Sequence, residues 1–183
     1  MIKSIKKVTV GLLSAALVLS TVAVADAAAS PSTANTPVAQ TATASSNGVK
    51  VTVTTTKSGT ATVKTLKKTS KKTITIASTC KVNGVRYTVT TVAAKAFKNC
   101  KKATAVVLPK TITTIKSGAF TGCKAKKITF KGTKNIKIDK KAFKSVKTKK
   151  MTLVFSKKMS KSVRNKVKKS LKKAKFAGKV VFK

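Results

Sequence analysis

Two carboxylates, three thiols and no imidazole are the whole of the conventional catalytic inventory in this 183-residue chain. Carboxylate acid–base chemistry needs two such groups side by side, and Asp26 and Asp139 stand far apart in the sequence. A Ser or Cys nucleophile needs a base, and histidine, the usual one, is absent. A Ser–Lys dyad has its residue types in abundance, but no motif surrounds any pair. Hard metals need several anionic oxygens and zinc needs sets of Cys and His; neither set exists, and no Gly-rich phosphate loop is present. The inventory points to a non-enzymatic protein with no catalytic residue, no metal site and no cofactor.

The thiols carry a different message, through their spacing. Cys100 and Cys123 lie 23 residues apart, and the next step of 23 falls on Val146. A slot that accepts valine is an apolar slot, so both thiols read as core groups. A disulfide between them is the alternative and depends on Cβ geometry. Cys80, at the start of a hairpin signal, reads as a free thiol. The same 23-residue step relates Phe97, Phe120 and Phe143, each preceded by Ala, and Val92, Ile115 and Ile138 stand five residues before each Phe. These nine residues, Val92, Phe97, Cys100, Ile115, Phe120, Cys123, Ile138, Phe143 and Val146, form the predicted repeat core. A β-branched strand follows each unit: 105–108, 128–130 and 151–155. Alternation places Val106, Leu108, Ile128, Phe130, Met151 and Leu153 inward. The second unit is one residue short before its strand and regains it afterwards, as a turn tolerates. One unit cannot bury its own apolar face, whereas stacked units can.

A period of this length is that of a leucine-rich repeat solenoid. The segment Thr90-Thr91-Val92-Ala93-Ala94-Lys95-Ala96-Phe97-Lys98-Asn99-Cys100, the run Val106-Val107-Leu108-Pro109 and the second copy from Thr113 to Cys123 resemble the BspA-like leucine-rich repeats of bacterial cell-surface proteins. The resemblance is close over about residues 73–158. Ala103 departs from the pattern where that family usually has Leu, and Asp139 takes the family's usual Gly position, where a local turn hydrogen bond is expected. The resemblance implies a solenoid fold and a role in surface attachment or adhesion. It does not name a ligand.

The elements that must hold these repeats follow from the rest of the chain. Residues 1–27 read as a secretory signal peptide: Lys3, Lys6 and Lys7, an apolar run from Val8 to Val24, and small-x-small cleavage signals ending at Ala25 and Ala27. An uncleaved anchor is the alternative. Residues 28–48 are Ala, Ser, Thr and Pro with no charge before the first strand and read as a disordered linker. Residues 49–87 read as a β-rich N-terminal cap of the solenoid, with Asn83-Gly84 as a hairpin turn. Residues 88–158 hold three repeats. Residues 159–183 read as a C-terminal cap of helix and strand, with Ser160 as N-cap, Val163, Val167, Leu171 and Ala174 on one face, and Gly178 ending the helix. The fold class is therefore α+β, β-rich: a short leucine-rich repeat solenoid with a β-hairpin N-terminal cap and a helix-plus-strand C-terminal cap.

Charge bounds the partners. The chain has 42 Lys and Arg against 2 acidic residues, a net charge of +40. Such a field attracts polyanions and keeps monomers apart. The outward strand positions Lys127, Thr129, Lys131, Lys150 and Thr152 are the predicted ligand face, suited to a protein or to an anionic glycan or cell-wall polymer. Specific nucleic-acid recognition is not expected, because Arg and stacking aromatics are scarce. The reading is a monomeric, secreted or cell-surface binding scaffold with no transmembrane segment after signal cleavage. The alternative is a cationic membrane-active protein working through the helix from Lys161 to Lys175. N-terminal sequencing of exported protein should start at Asp26 or Ala28; a start at Met1 would establish the uncleaved anchor.

Overall fold

After Gln40, the stretches in which apolar and polar residues alternate form strands. The computed structural model describes residues 40–183, so the signal-peptide reading, with Ala25 and Ala27, and the first part of the linker lie outside it. Two sheets face each other across the core. The first joins β1 (Thr41–Ser46), β2 (Val49–Thr55), β3 (Thr60–Leu66), β6 (Val85–Val92), β8 (Thr114–Ile115) and β10 (Lys137–Ile138) in that order, with β5 (Thr79–Val82) also paired to β6. The second runs β12 (Lys179–Phe182), β11 (Thr152–Phe155), β9 (Lys127–Phe130), β7 (Ala105–Leu108) and β4 (Thr73–Thr75), parallel throughout. One helix, α1 (Lys161–Lys173), packs on β10.

Each rung of the solenoid is a strand of the first sheet, an arc, a strand of the second sheet and a return. The rung pairs are β3 with β4, β6 with β7, β8 with β9, and β10 with β11. At the far end α1 replaces the short strand, and β12 completes a fifth rung. The ladder therefore extends beyond 88–158 at both ends. β4 does not form a hairpin with β3; it leaves that sheet and becomes the first rung of the other.

Backbone hydrogen bonds lock equivalent positions together. The amides of Ala93, Lys116 and Asp139 donate to the carbonyls of Val63, Val92 and Ile115. Phe97 lies 5.4 Å from Phe120, and Phe120 lies 5.3 Å from Phe143, with rings nearly parallel. Phe176 extends the column at 5.0 Å, tilted by 53°. At the other end Leu66 donates to the Ala96 carbonyl much as Phe120 donates to that of Ala142, so Leu66 fills the aromatic's place in the first rung. A second column, Phe130, Phe155 and Phe182, is spaced at 4.6 and 5.6 Å.

Several expectations change at the edges. The linker expected over 28–48 ends earlier, because Thr41–Ser46 is a strand paired antiparallel to β2. Asn47 and Gly48 form its turn with φ of 48° and 71°, matching Asn83 and Gly84 at 50° and 79° between β5 and β6. Both central residues of such a turn need positive φ, which Asn and Gly accept best. The β1–β2 corner covers the outer edge of β4: Ser46 Oγ accepts from the Ala77 amide at 2.7 Å, and Asn47 Nδ2 donates to the Thr75 carbonyl at 3.2 Å. At the C-terminus, Ser160 caps α1 by accepting from the Val163 amide at 3.3 Å. Gly178 does not end the helix. Lys175 takes the left-handed conformation, with φ of 51°, and Gly178 instead permits close backbone approach, since a β-carbon there would run into the Met151 and Thr148 carbonyls.

Phe120 is fully buried between two rings, so Phe120→Ala should lower unfolding free energy by about 3–5 kcal/mol in urea titration. Tyr87 is buried and its hydroxyl has no hydrogen-bond partner among the described residues. Tyr87→Phe should raise stability by about 1 kcal/mol, because the lost group has no bond to lose and is costly to desolvate.

Candidate functional site

The predicted core positions are inside the solenoid. Val92, Phe97, Cys100, Ile115, Phe120, Cys123, Ile138 and Phe143 are buried, while Val146 is only half-buried, with no further repeat of the same kind beyond it. All three cysteines are free thiols. Cys100 and Cys123 each donate their amide to the Phe three residues earlier, at 3.1 and 2.9 Å, so their backbones repeat one another. Burial pushes the Cys100 thiol up from 9.0 to about 12, and the neighbouring Cys123 adds to the rise. Burial likewise raises Cys123, partly opposed by a hydrogen bond from the Ala125 backbone, and raises Cys80. These thiols are packing groups and poor nucleophiles.

Asp139, the acid of the repeats, accepts from the Lys141 amide through Oδ1 at 2.8 Å. It serves a local turn, and no group of three or more His, Cys, Asp or Glu capable of holding a metal occurs among the described residues.

The outward face of the second sheet is set by register. Ala105, Lys127, Thr152 and Lys179 share one row. Thr75, Val107, Thr129, Val154 and Val181 share the next. The first row carries charge and the second carries none. Of the five predicted ligand residues, Lys127 and Thr152 are neighbours in the first row, and Thr129 stands in the second. Lys131 lies one residue past β9 and donates its amide to Leu108. Lys150 is not on a strand: it ends a 3-10 turn over Thr148–Lys150. Lys127, Thr129 and Thr152 therefore lie together on the sheet face, with Lys131 at its rim and Lys150 in the turn before β11. Two shallow clefts, of about 530 and 350 Å³, follow the C-terminal ends of these strands and share Lys131. Val107 borders the first and Val154 the second, and their alternation in β7 and β11 already marked them as outward residues.

The second sheet's face offers hydroxyls, β-branched methyls and ammonium groups, with no carboxylate and no aromatic ring in either row. That chemistry suits hydrogen-bonding, negatively charged surfaces better than an apolar protein hot spot.

The described residues contain no helix long and apolar enough to cross a membrane. Among known proteins, a family model described as BspA type leucine rich repeat region matches residues 77–180 in six copies. The solved structure of the pneumococcal vaccine antigen PcpA is similar with a TM-score of 0.51 and 20% identity, over 81% of this chain and 39% of that one. A leucine rich cell surface protein from Faecalibacterium prausnitzii A2-165 is similar with a TM-score of 0.42 and 23% identity, over 62% of this chain and 27% of that one. The chain thus spans well under half the length of either structure. No curated protein matches it.

The thiol shift has a signed consequence. The folded state holds the Cys100 proton up to about 12, against 9.0 ordinarily. Its contribution to stability is complete below 9.0 and is lost as pH rises from there through 12. Cys100→Val should therefore flatten the alkaline limb of a stability-against-pH profile and leave the neutral region little changed. Chemical denaturation of both proteins across that range is the check.

Proposed function

Because this chain belongs to the BspA type leucine rich repeat family, we propose that it is an exported, non-catalytic surface scaffold. It is held on anionic glycans or cell-wall polymers by its lysine-rich exterior and presents the second sheet's outer face to a polymer or protein partner. The observation that carries the reading is the imbalance of 42 basic against 2 acidic side chains in the sequence, of which all but Lys3, Lys6, Lys7 and Asp26 lie in the described residues that build the ladder of rungs and its caps. Almost none of that charge can be neutralised within the chain, so anions from outside must do it. Lys127, Thr129, Lys131, Lys150 and Thr152 belong to this exterior, with Lys131 joining the two clefts at the strand ends.

The membrane-active reading of the segment Lys161–Lys175 is disfavoured by where its apolar stripe goes. Val167, Leu171 and Ala174 are buried in the solenoid cap, on the side that meets β10. A helix whose apolar face is already used cannot offer it to acyl chains without leaving the fold.

The test is retention of the chain from Ala28 onward on purified bacterial walls, with and without their anionic polymers, and on mucin, across a salt series. The expected result is retention that needs the anionic polymer and falls steeply with salt, by about 0.7 to 0.9 log units per log unit of salt for each anion contacted, as for phosphate polymers. Retention unchanged by removal of the anionic polymer would overturn the reading.

A further inference from the structure

The lysines are not spread evenly around each rung. The outer face of the first sheet carries a row of hydroxyls in register from strand to strand, Thr41, Thr54, Thr62, Thr91 and Thr114, which meets a charge only at its last member, Lys137. The second sheet's uncharged row, from Thr75 to Val181, lies on the opposite side. Charge instead gathers on the edge where the chain passes from the first sheet to the second, in the arcs 93–104, 116–126 and 139–151.

On this edge the 23-residue step produces a column of its own. Lys101, Lys124 and Lys147 each follow a repeat-core position, the buried Cys100 and Cys123 and the half-buried Val146, and all three are exposed. The arcs beneath them are tied rung to rung. The Lys95 amide donates to Gly118 and the Gly118 amide to Lys141; the Thr104 amide donates to Lys72, the Lys126 amide to Thr104 and the Thr152 amide to Lys126. The lysines thus rise from a stiff stack whose adjoining rings are 5.4 and 5.3 Å apart.

Three clefts open along the same edge. One of about 440 Å³ holds Lys68, Lys101 and Lys102 beside Thr69, Ser70 and Asn99. One of about 400 Å³ holds Lys124, Lys126, Lys147 and Lys150. One of about 520 Å³ holds Lys140, Lys141, Lys144, Lys173 and Lys175. By contrast, the two clefts on the far lip of the second sheet have Lys110 and Lys131 in one, and Lys131 and Lys183 in the other. Stacked ammonium groups repel one another, and the side chain of Asp139 is the one carboxylate in these arcs.

We propose that this edge is a binding track for a linear polyanion, a chain of phosphate groups lying along the solenoid axis and crossing the rungs. The inference rests on the surface-scaffold reading and deepens it, by naming the track and the polymer class. A column one residue wide, repeating at the rung spacing, fits a thin unbranched chain with a charge on every unit. Lys presents point charges suited to phosphate. Phe97, Phe120 and Phe143 are buried with their rings stacked on one another, and only Phe143 borders a cleft of the track, so the lysine column has no row of exposed rings on which bases could stack. The polymer class is therefore a base-free phosphate chain. The predicted ligand residue Lys150 belongs to this track, and Lys127, Thr129 and Thr152 flank it on the sheet face.

The experiment compares the full mature chain with two charge-matched triple variants, using long-chain inorganic polyphosphate as the probe. One removes the column (Lys101→Gln, Lys124→Gln, Lys147→Gln); the other removes exposed lysines away from it (Lys81→Gln, Lys110→Gln, Lys134→Gln). All six side chains are exposed, so both variants should fold, which circular dichroism checks. The column variant should bind about tenfold more weakly near 0.1 M salt, with its salt slope lowered by about 2. It should also lose most of the rise in melting temperature that polyphosphate gives the parent. The control should stay within about twofold of the parent. Equal weakening of the two variants would overturn the track while leaving polyanion retention standing. Failure of the parent to bind any polyphosphate would overturn the track as well, and retention on walls would then decide the scaffold reading separately.

Discussion

Rung-on-rung stacking is the constraint from which the rest of this molecule follows. A single unit has one aromatic, one aliphatic and a two- to four-residue strand pointing inward. The two short strands of one rung face each other but cannot close a core by themselves, and burial is completed by the unit above and the unit below. Hence the Phe97–Phe120–Phe143 rings repeat at 5.3 to 5.4 Å, and hence the backbone bonds between rungs matter as much as those within them. Repetition imposed by the stack on the inside carries some outward positions with it. A column of two buried thiols and a half-buried valine on the inside becomes a column of lysine ammonium groups one residue later on the outside.

A stack needs ends, and the two ends solve the problem differently. At the N-terminal end, β1 and β2 fold over so that Ser46 and Asn47 satisfy the edge of β4. At the C-terminal end, α1 takes the place of a short strand and contributes Val167 and Leu171, while Phe176 and Phe182 extend both aromatic columns by one ring. Arg164 and Lys168 lie over the last ring, Phe182, at 5.3 and 5.8 Å. Basic side chains thus cover the final apolar surface with their own stems and charge.

The parts of the fold legible in the sequence were those under the strictest repetition. Phe97, Phe120 and Phe143 announce themselves because identical rungs place their stacked rings at an equal step. What stayed hidden had looser constraints. Ile74 sits in a strand of three residues and reads like the partner of β3, because alternation alone cannot say which sheet a strand joins. The inward residues of β1 are Ala42, Ala44 and Ser46, small groups over a shallow space, so Thr41–Ser46 shows no apolar alternation; the Asn47-Gly48 pair was the signal that a hairpin lay there. Phe176 falls 33 residues after Phe143 instead of 23, because a helix occupies the interval. On the outer face, Lys150 keeps the in-and-out alternation of β11 but lies in the 3-10 turn that precedes it, which alternation alone cannot tell from a strand. The column Lys101, Lys124 and Lys147 was readable from the same step as the phenylalanines, but lysine in a chain so rich in it does not draw the eye.

The tilt of Phe176 against Phe143, 53° where the inner pairs are within 9°, bears on how the molecule carries mechanical load. Rungs joined only to their neighbours act as elements in series, and a force drawn through the two termini meets each interface in turn. Ring tilt turns the contact at the last rung from face-to-face towards edge-to-face, while β12 keeps a four-residue parallel pairing with β11. Load carried along the ladder therefore passes into the last rung through backbone pairing more than through ring stacking.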